Sequence, residues 1–147
     1  MILFQNITMN IACIPAYNEE FHIENLVKST MKYVDSVVVC DDGSTDNTAN
    51  IAKNAGAIVI SHKTNKGYRA AITSLFDYAR KNNAEIMITI DGDGQHDPNQ
   101  IPLLLNTMIQ HNVDVVIGSR FLNQNTEAPG YRQRGIKIIT SAANYGT

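Results

Sequence analysis

The chain has 147 residues, 44% hydrophobic and 18% charged, with a net charge of −2, the composition of one soluble globular domain with its own core. That charge excludes a general nucleic-acid binder, which needs a basic surface. Cys13 and Cys40 both sit in apolar runs and read as buried free thiols, so neither a zinc site nor a disulfide-linked partner is expected. No apolar run approaches the roughly 20 residues of a membrane span, and no basic-then-apolar leader opens the chain, which predicts a cytoplasmic protein.

In chain order, residues 7–14 read as a first strand, followed by a loop at Pro15-Ala-Tyr-Asn18. Asn18 is suited to cap a helix from Glu19 to about Thr30, with Ile23, Leu26 and Val27 at helical spacing. Val34 to Cys40 is a second, β-branched strand. Asp41-Asp-Gly-Ser-Thr-Asp-Asn-Thr48 is a polar turn before a short helix from Ala49 to Asn54, which Gly56 ends. Ala57 to Ser61 is a third strand, and Asn65-Lys-Gly67 turns into a helix over Tyr68 to Lys81. A fourth strand covers 85–90. The next helix runs from about Pro98, a residue suited to a first turn, to Gln110. Val113 to Ile117 is a fifth strand, 122–130 a polar loop and Tyr131 to Tyr145 a last helix, with Gly146 placed to end it.

Strands alternating with helices imply an α/β fold, a mostly parallel sheet covered by helices on both faces. Near-continuous apolar strands such as Val37-Val-Val-Cys40 agree, since they must be buried on both sides. In such sheets ligands bind beyond the carboxyl ends of the strands. Those ends carry polar clusters: Pro15 to Glu19, Asp41 to Ser44, Asp91-Gly-Asp93 and Gly118-Ser-Arg120. They suggest one site.

The acids after the fourth strand, Asp91, Asp93 and Asp97, repel one another unless a cation or protons neutralise them. An EF-hand is excluded, because His96 and Pro102 stand where it needs Gly and Glu. A Rossmann site is discounted for want of glycine in Pro15-Ala-Tyr-Asn18. A hard-cation site remains, with Mg²⁺ or Mn²⁺ held by one or two carboxylates and completed by substrate phosphates and water.

Ile14-Pro-Ala-Tyr-Asn-Glu-Glu20, Asp41-Asp-Gly-Ser-Thr-Asp46, Asn65-Lys-Gly67, Asp91-Gly-Asp-Gly-Gln-His-Asp-Pro98 and Gly118-Ser-Arg-Phe121 occur in this order. Together they resemble the family 2 glycosyltransferases, above all the dolichyl-phosphate mannose synthase and polyprenyl-phosphate branch. The resemblance implies a nucleotide-diphospho-sugar transferase (GT-A) fold in which Asp91-Gly-Asp93 is the DXD motif. It makes Pro15, Tyr17 and Glu19 lining of the nucleotide pocket, with Asp42 on the base and Asp41 beside it; Lys66, by its own charge, is a candidate phosphate contact or a solvated residue. Asp93 becomes the main metal ligand, helped by Asp91 and Gln95. Arg120 meets phosphate charge, and Arg132 and Arg134 hold the acceptor phosphate or leaving diphosphate.

The implied activity is metal-dependent, inverting sugar transfer from a nucleotide-diphospho-sugar (GDP-mannose or a UDP-sugar) to a polyprenyl or dolichyl phosphate, at the cytoplasmic membrane face. Two alternatives stand beside it: a donor-binding module without full activity, and a nucleotidyltransferase of related fold. The family commonly continues beyond the point where this chain stops, so residues 1–147 are expected to lack the acceptor-side part. Plainer roles are expected elsewhere. Asp97 reads as a helix N-cap, His96 as a loop residue, and His22, His62 and His111 as surface residues.

Overall fold

The structure is a computed structural model and describes residues 9–119. Ile7 and Thr8 of the expected first strand, Arg120, Phe121, the expected 122–130 loop and the expected last helix lie outside the described residues. Residues up to Asn112 belong to one compact unit, and Val113 opens a second.

The sheet is built on β1 (Asn10–Ala16). Successive side chains of a strand point to opposite faces, and both faces of β1 are buried. Ala12 and Ile14 enter one core cluster, Ile11 and Cys13 the other. β2 (Ser36–Asp41) pairs with one edge of β1 and β4 (Ile86–Thr89) with the other, while β3 (Ile58–Ser61) pairs with β2. All pairings are parallel, in the order β3-β2-β1-β4.

Helices cover both faces. α1 (Ile23–Thr30) and α2 (Thr48–Asn54) pack on the Ala12/Ile14 side, joined by Ile101 at the start of α4 (Ile101–His111). α3 (Tyr68–Lys81) covers the other side with Ala71, Leu75 and Ala79, four residues apart and so on one helical face. A 3-10 turn at Pro98–Gln100 precedes α4, and Asp97 caps it by accepting from the Asn99 backbone N–H at 3.0 Å, as expected.

Two expectations are corrected. Asn18 is not the cap of α1, which starts at Ile23. It takes a left-handed conformation (φ 56°), and its Oδ1 accepts from the Thr45 N–H at 2.9 Å. Its side chain is spent on a distant turn, so none is left for the helix. Val113 to Ile117 forms no strand, and Val115 and Ile117 are 71% and 84% exposed. β-branched residues favour a packed, pleated surface rather than an extended backbone as such, and this run joins no ladder among the described residues.

Candidate functional site

The strand order places the site. From β1 the chain moves outward to β2 and β3, then returns to the opposite edge of β1 as β4. β1 and β4 thus lie side by side although far apart in the chain, and ligands enter such sheets beyond the carboxyl ends of the strands. A cleft of about 450 Å³ lies there. Pro15, Ala16, Tyr17 and Glu19 line it from the end of β1, Asp42 from the end of β2, and Asp91, Gly92 and Asp93 from the end of β4. Asn65, Gly67, Tyr68 and Ala71 complete the wall.

The loop after β2 is stapled to the loop after β1 by its own polar residues. Ser44 Oγ accepts from the Asn18 N–H at 2.9 Å, and Thr48 Oγ1 accepts from the Glu19 N–H at 2.8 Å. The Asp46 carboxylate accepts from the N–H groups of Glu20 (3.2 Å) and Thr48 (3.0 Å). Burial pushes the Asp46 carboxyl up, but these donors and the Thr48 hydroxyl outweigh it and hold the group below its ordinary value. Glycine is required at position 43, where φ is +72° and a Cβ would lie 2.5 Å from the Thr64 carbonyl carbon.

Asp42 is the most tightly held acid of the cleft, at 3% exposure. Its Oδ1 accepts from the Lys66 N–H at 3.0 Å and from His62 Nδ1 at 2.5 Å, and its Oδ2 from the Gly67 N–H at 2.7 Å. Burial again raises the carboxyl, and the donors win, leaving it below the usual carboxylate range. His62 is thus no surface residue. Its side chain is 9% exposed, with Nε2 at 2.9 Å from Ser74 Oγ. Sequence alone missed it because a histidine just past a strand end carries no sign of which side it faces.

Asp91 and Asp93 flank Gly92, whose absent Cβ lets the loop close on β1: a methyl there would sit 2.9 Å from the Pro15 carbonyl oxygen. Asp91 Oδ1 accepts from the Tyr68 hydroxyl at 3.3 Å, and Asp93 Oδ1 accepts from the Gln95 N–H at 3.0 Å. Burial raises the Glu19 carboxyl; His22 opposes this, and Asp93 and Asp46 add to it by charge repulsion. Among the described residues no three His, Cys, Asp or Glu side chains converge enough to form a closed metal cage. Two cleft-facing carboxylates suit a cation that takes the rest of its shell from phosphates and water.

Of the residues singled out in the sequence, Pro15, Tyr17, Glu19, Asp42, Asp91 and Asp93 line the one cleft. Asp41, Lys66 and Gln95 do not. Asp41 is buried and accepts from the Ser44 N–H at 3.2 Å, and Lys66 lines a second cavity beyond the Asn65–Tyr68 turn. Arg120, Arg132 and Arg134 lie outside the described residues. Tyr68, Asn65 and Ala71 were not anticipated as lining. The Asn65-Lys-Gly67 motif was the available signal for that wall.

Residues 11–146 match the family model for glycosyl transferase family 2. The chain belongs to that family. It is 35% identical over 128 residues to the UDP-N-acetylglucosamine–dolichyl-phosphate N-acetylglucosaminyltransferase of Methanococcus voltae, covering 75% of this chain and 51% of that protein. It is 30% identical over 159 aligned positions to the undecaprenyl-phosphate 4-deoxy-4-formamido-L-arabinose transferase of Proteus mirabilis (100% and 47% covered). Among solved structures, glucosyl-3-phosphoglycerate synthase from Mycobacterium tuberculosis, in complex with Mn²⁺, UDP and glucosyl-3-phosphoglycerate, superposes with a TM-score of 0.58 at 28% identity, over 69% of this chain and 39% of that one. The family 2 chain has the GT-A fold, and it spans about half the length of these curated relatives.

Proposed function

We propose that this family 2 chain binds a nucleotide-diphospho-sugar in the cleft and serves metal-dependent, inverting transfer of the sugar to a polyprenyl or dolichyl phosphate. The observation that carries the proposal is the meeting of Asp42 with Asp91 and Asp93 around one crevice. A base acceptor and a diphosphate–cation pole face the same space. In support, two relatives carry the names of polyprenyl-phosphate sugar transferases, and a structural neighbour was solved with Mn²⁺ and UDP.

In this reading the buried Asp42 carboxylate accepts a base N–H, with Pro15 and Tyr17 packing along the nucleoside. Asp93, with Asp91 and Gln95, would hold Mg²⁺ or Mn²⁺, which would supply Lewis-acid stabilisation of negative charge on the diphosphate. Arg120 adds bidentate contacts to phosphate, and Arg132 and Arg134 hold the acceptor phosphate or the leaving group. Asp41 backs Asp42 through the Ser44 turn, and Lys66 offers charge to a phosphate. An acceptor phosphate, with a second pKa of about 6, is already an anion at neutral pH, so the attack needs no protein base.

The acceptor places the work at a membrane surface. From that acceptor we infer peripheral contact at the cytoplasmic face; no helix among the described residues is long and apolar enough to cross a membrane.

A transfer assay with radiolabelled UDP- or GDP-sugars, polyprenyl phosphate and Mn²⁺ tests the reading. Label is expected in the lipid phase and is to vanish with chelator. Metal-dependent donor binding without lipid product would favour a donor-binding module instead. A nucleotide panel in which no member binds more tightly with Mn²⁺ would overturn the site itself.

A further inference from the structure

Asp42 and Ser74 are joined by one imidazole. His62 Nδ1 lies 2.5 Å from Asp42 Oδ1, and its Nε2 lies 2.9 Å from Ser74 Oγ. Asp42 is ionised, and an ionised carboxylate only accepts, so Nδ1 carries the proton. The other ring nitrogen, Nε2, is hydrogen-bonded to the Ser74 hydroxyl. The relay runs from α3, through the residue following β3, to the residue following β2, and the imidazole is 9% exposed.

A carboxylate offers about four lone-pair sites. At Asp42 three are taken, two on Oδ1 by Lys66 and His62 and one on Oδ2 by Gly67. One acceptor remains, on Oδ2, and Asp42 lines the cleft. We propose that His62 is a positioning residue for base choice: by closing Oδ1 and fixing the plane of the Asp42 carboxylate, it leaves a single acceptor that selects a base with an imide N–H. Uracil (N3–H) and guanine (N1–H) have that donor, whereas cytosine and adenine present a bare ring nitrogen at the equivalent place. This inference rests on the proposed role of Asp42 as base acceptor.

The order Asp–His–Ser is also that of a hydrolytic triad. Ser74 lies inside α3, however, where backbone N–H groups are spent on the helix and none is left for an oxyanion hole. The groups that face the imidazole are otherwise Cys40, with Sγ 3.8 Å from Nε2, and the polar wall of the second cavity, Lys66, Arg69 and Thr73.

The test is titration calorimetry with Mn²⁺, comparing UDP with CDP and GDP with ADP. For the wild type, one imide nucleotide is expected to bind at least about tenfold more tightly than its partner, one charge-assisted hydrogen bond being worth that much. In His62→Leu that ratio is expected to collapse toward one while the weaker nucleotide keeps its affinity, since its binding rests on the diphosphate. His62→Asn, whose amide nitrogen stands close to the place of Nδ1, is expected to restore most of the ratio. Imidazole ¹⁵N shifts of His62 should report the Nδ1–H tautomer, and Ser74→Ala should lower the ratio without unfolding the chain, which keeps the test decisive if His62→Leu fails to fold. Discrimination that is lost in Asp42→Asn but intact in His62→Leu or Ser74→Ala overturns the positioning role alone. A wild type with no preference, indifferent to Asp42→Asn, overturns the base-acceptor reading and this inference with it.

Discussion

The Tyr68 hydroxyl, on the first turn of α3, donates to Asp91 Oδ1 beyond β4 across 3.3 Å. This bond joins two walls of the cleft that are 23 residues apart in sequence. It also holds one of the two carboxylates proposed to face the cation. The Tyr68 hydroxyl is raised in pKa by burial first and by Asp91 second, so it stays a donor at neutral pH. Tyr68→Phe keeps the ring and removes the donor. An exposed bond of this kind contributes about 0.5–1.5 kcal/mol, so Mn²⁺-dependent nucleotide affinity is expected to fall about 2- to 10-fold, with the thermal midpoint little changed. Calorimetry alongside thermal unfolding measures both.

Asp93→Ala makes a sharper cut. Asp93 is exposed in a loop and its carboxylate accepts only a local N–H, from Gln95. The substitution is expected to abolish the gain in nucleotide affinity on adding Mn²⁺ while circular dichroism and melting stay as in the wild type. Loss of folding would mean that the acid serves the loop rather than a cation.

Gly92→Ala tests how the loop is seated. The new methyl would meet the Pro15 carbonyl oxygen at 2.9 Å, a backbone atom in a paired strand that cannot swing aside. Overpacking of this kind costs about 1–3 kcal/mol. For a domain of this size that corresponds to a drop of roughly 2–4 °C per kcal/mol in melting temperature. Nucleotide binding with metal should weaken as well, because Asp91 and Asp93 move with the loop. A variant with unchanged melting and binding would show the contact to be slack.

Acid should unfold the protein through Asp42 and Asp46. Both carboxyls are held below their ordinary value of 3.8 by donors that outweigh burial. In the unfolded chain they return to that value. Their stabilisation is therefore fully present above pH 3.8 and is lost as the pH falls through their lowered values. Melting temperature followed from neutral to acid pH should fall steeply below that point. Asp46→Ala should melt lower at neutral pH and show a flatter acid limb. An unchanged limb would assign the acid sensitivity elsewhere.

Thiol chemistry should be silent in the native state. Burial pushes the Cys13 thiol up to about 12; it also pushes Cys40 up to about 11, with Asp42 and Asp41 adding to the rise. Both side chains are fully buried. Neither is expected to react with a thiol reagent until denaturant is added, whereupon both should label. Rapid native labelling of Cys40 would mean that the β2 edge of the site opens readily.

The sequence by itself determined the alternation of strands and helices and the positions of the polar clusters at strand ends. Short, near-continuous apolar runs separated strands from helices, whose apolar residues recur at helical spacing, and Asp97 before Pro98 marked a helix start. Acids and amides clustered after strands marked the edge where the cleft opens. These signals are local, because each depends on neighbours a few residues away. Tertiary structure alone decided which clusters share a cleft. β4 lies beside β1 rather than beside β3, and that non-local pairing brings Asp91 and Asp93 to the same space as Asp42 and Glu19. It likewise turned Asn18 from a helix cap into a tie to Thr45, buried His62 against Asp42, and left Val113 to Ile117 outside any ladder among the described residues. A side chain's propensity says what it can bond, and only the fold decides which partner arrives within reach.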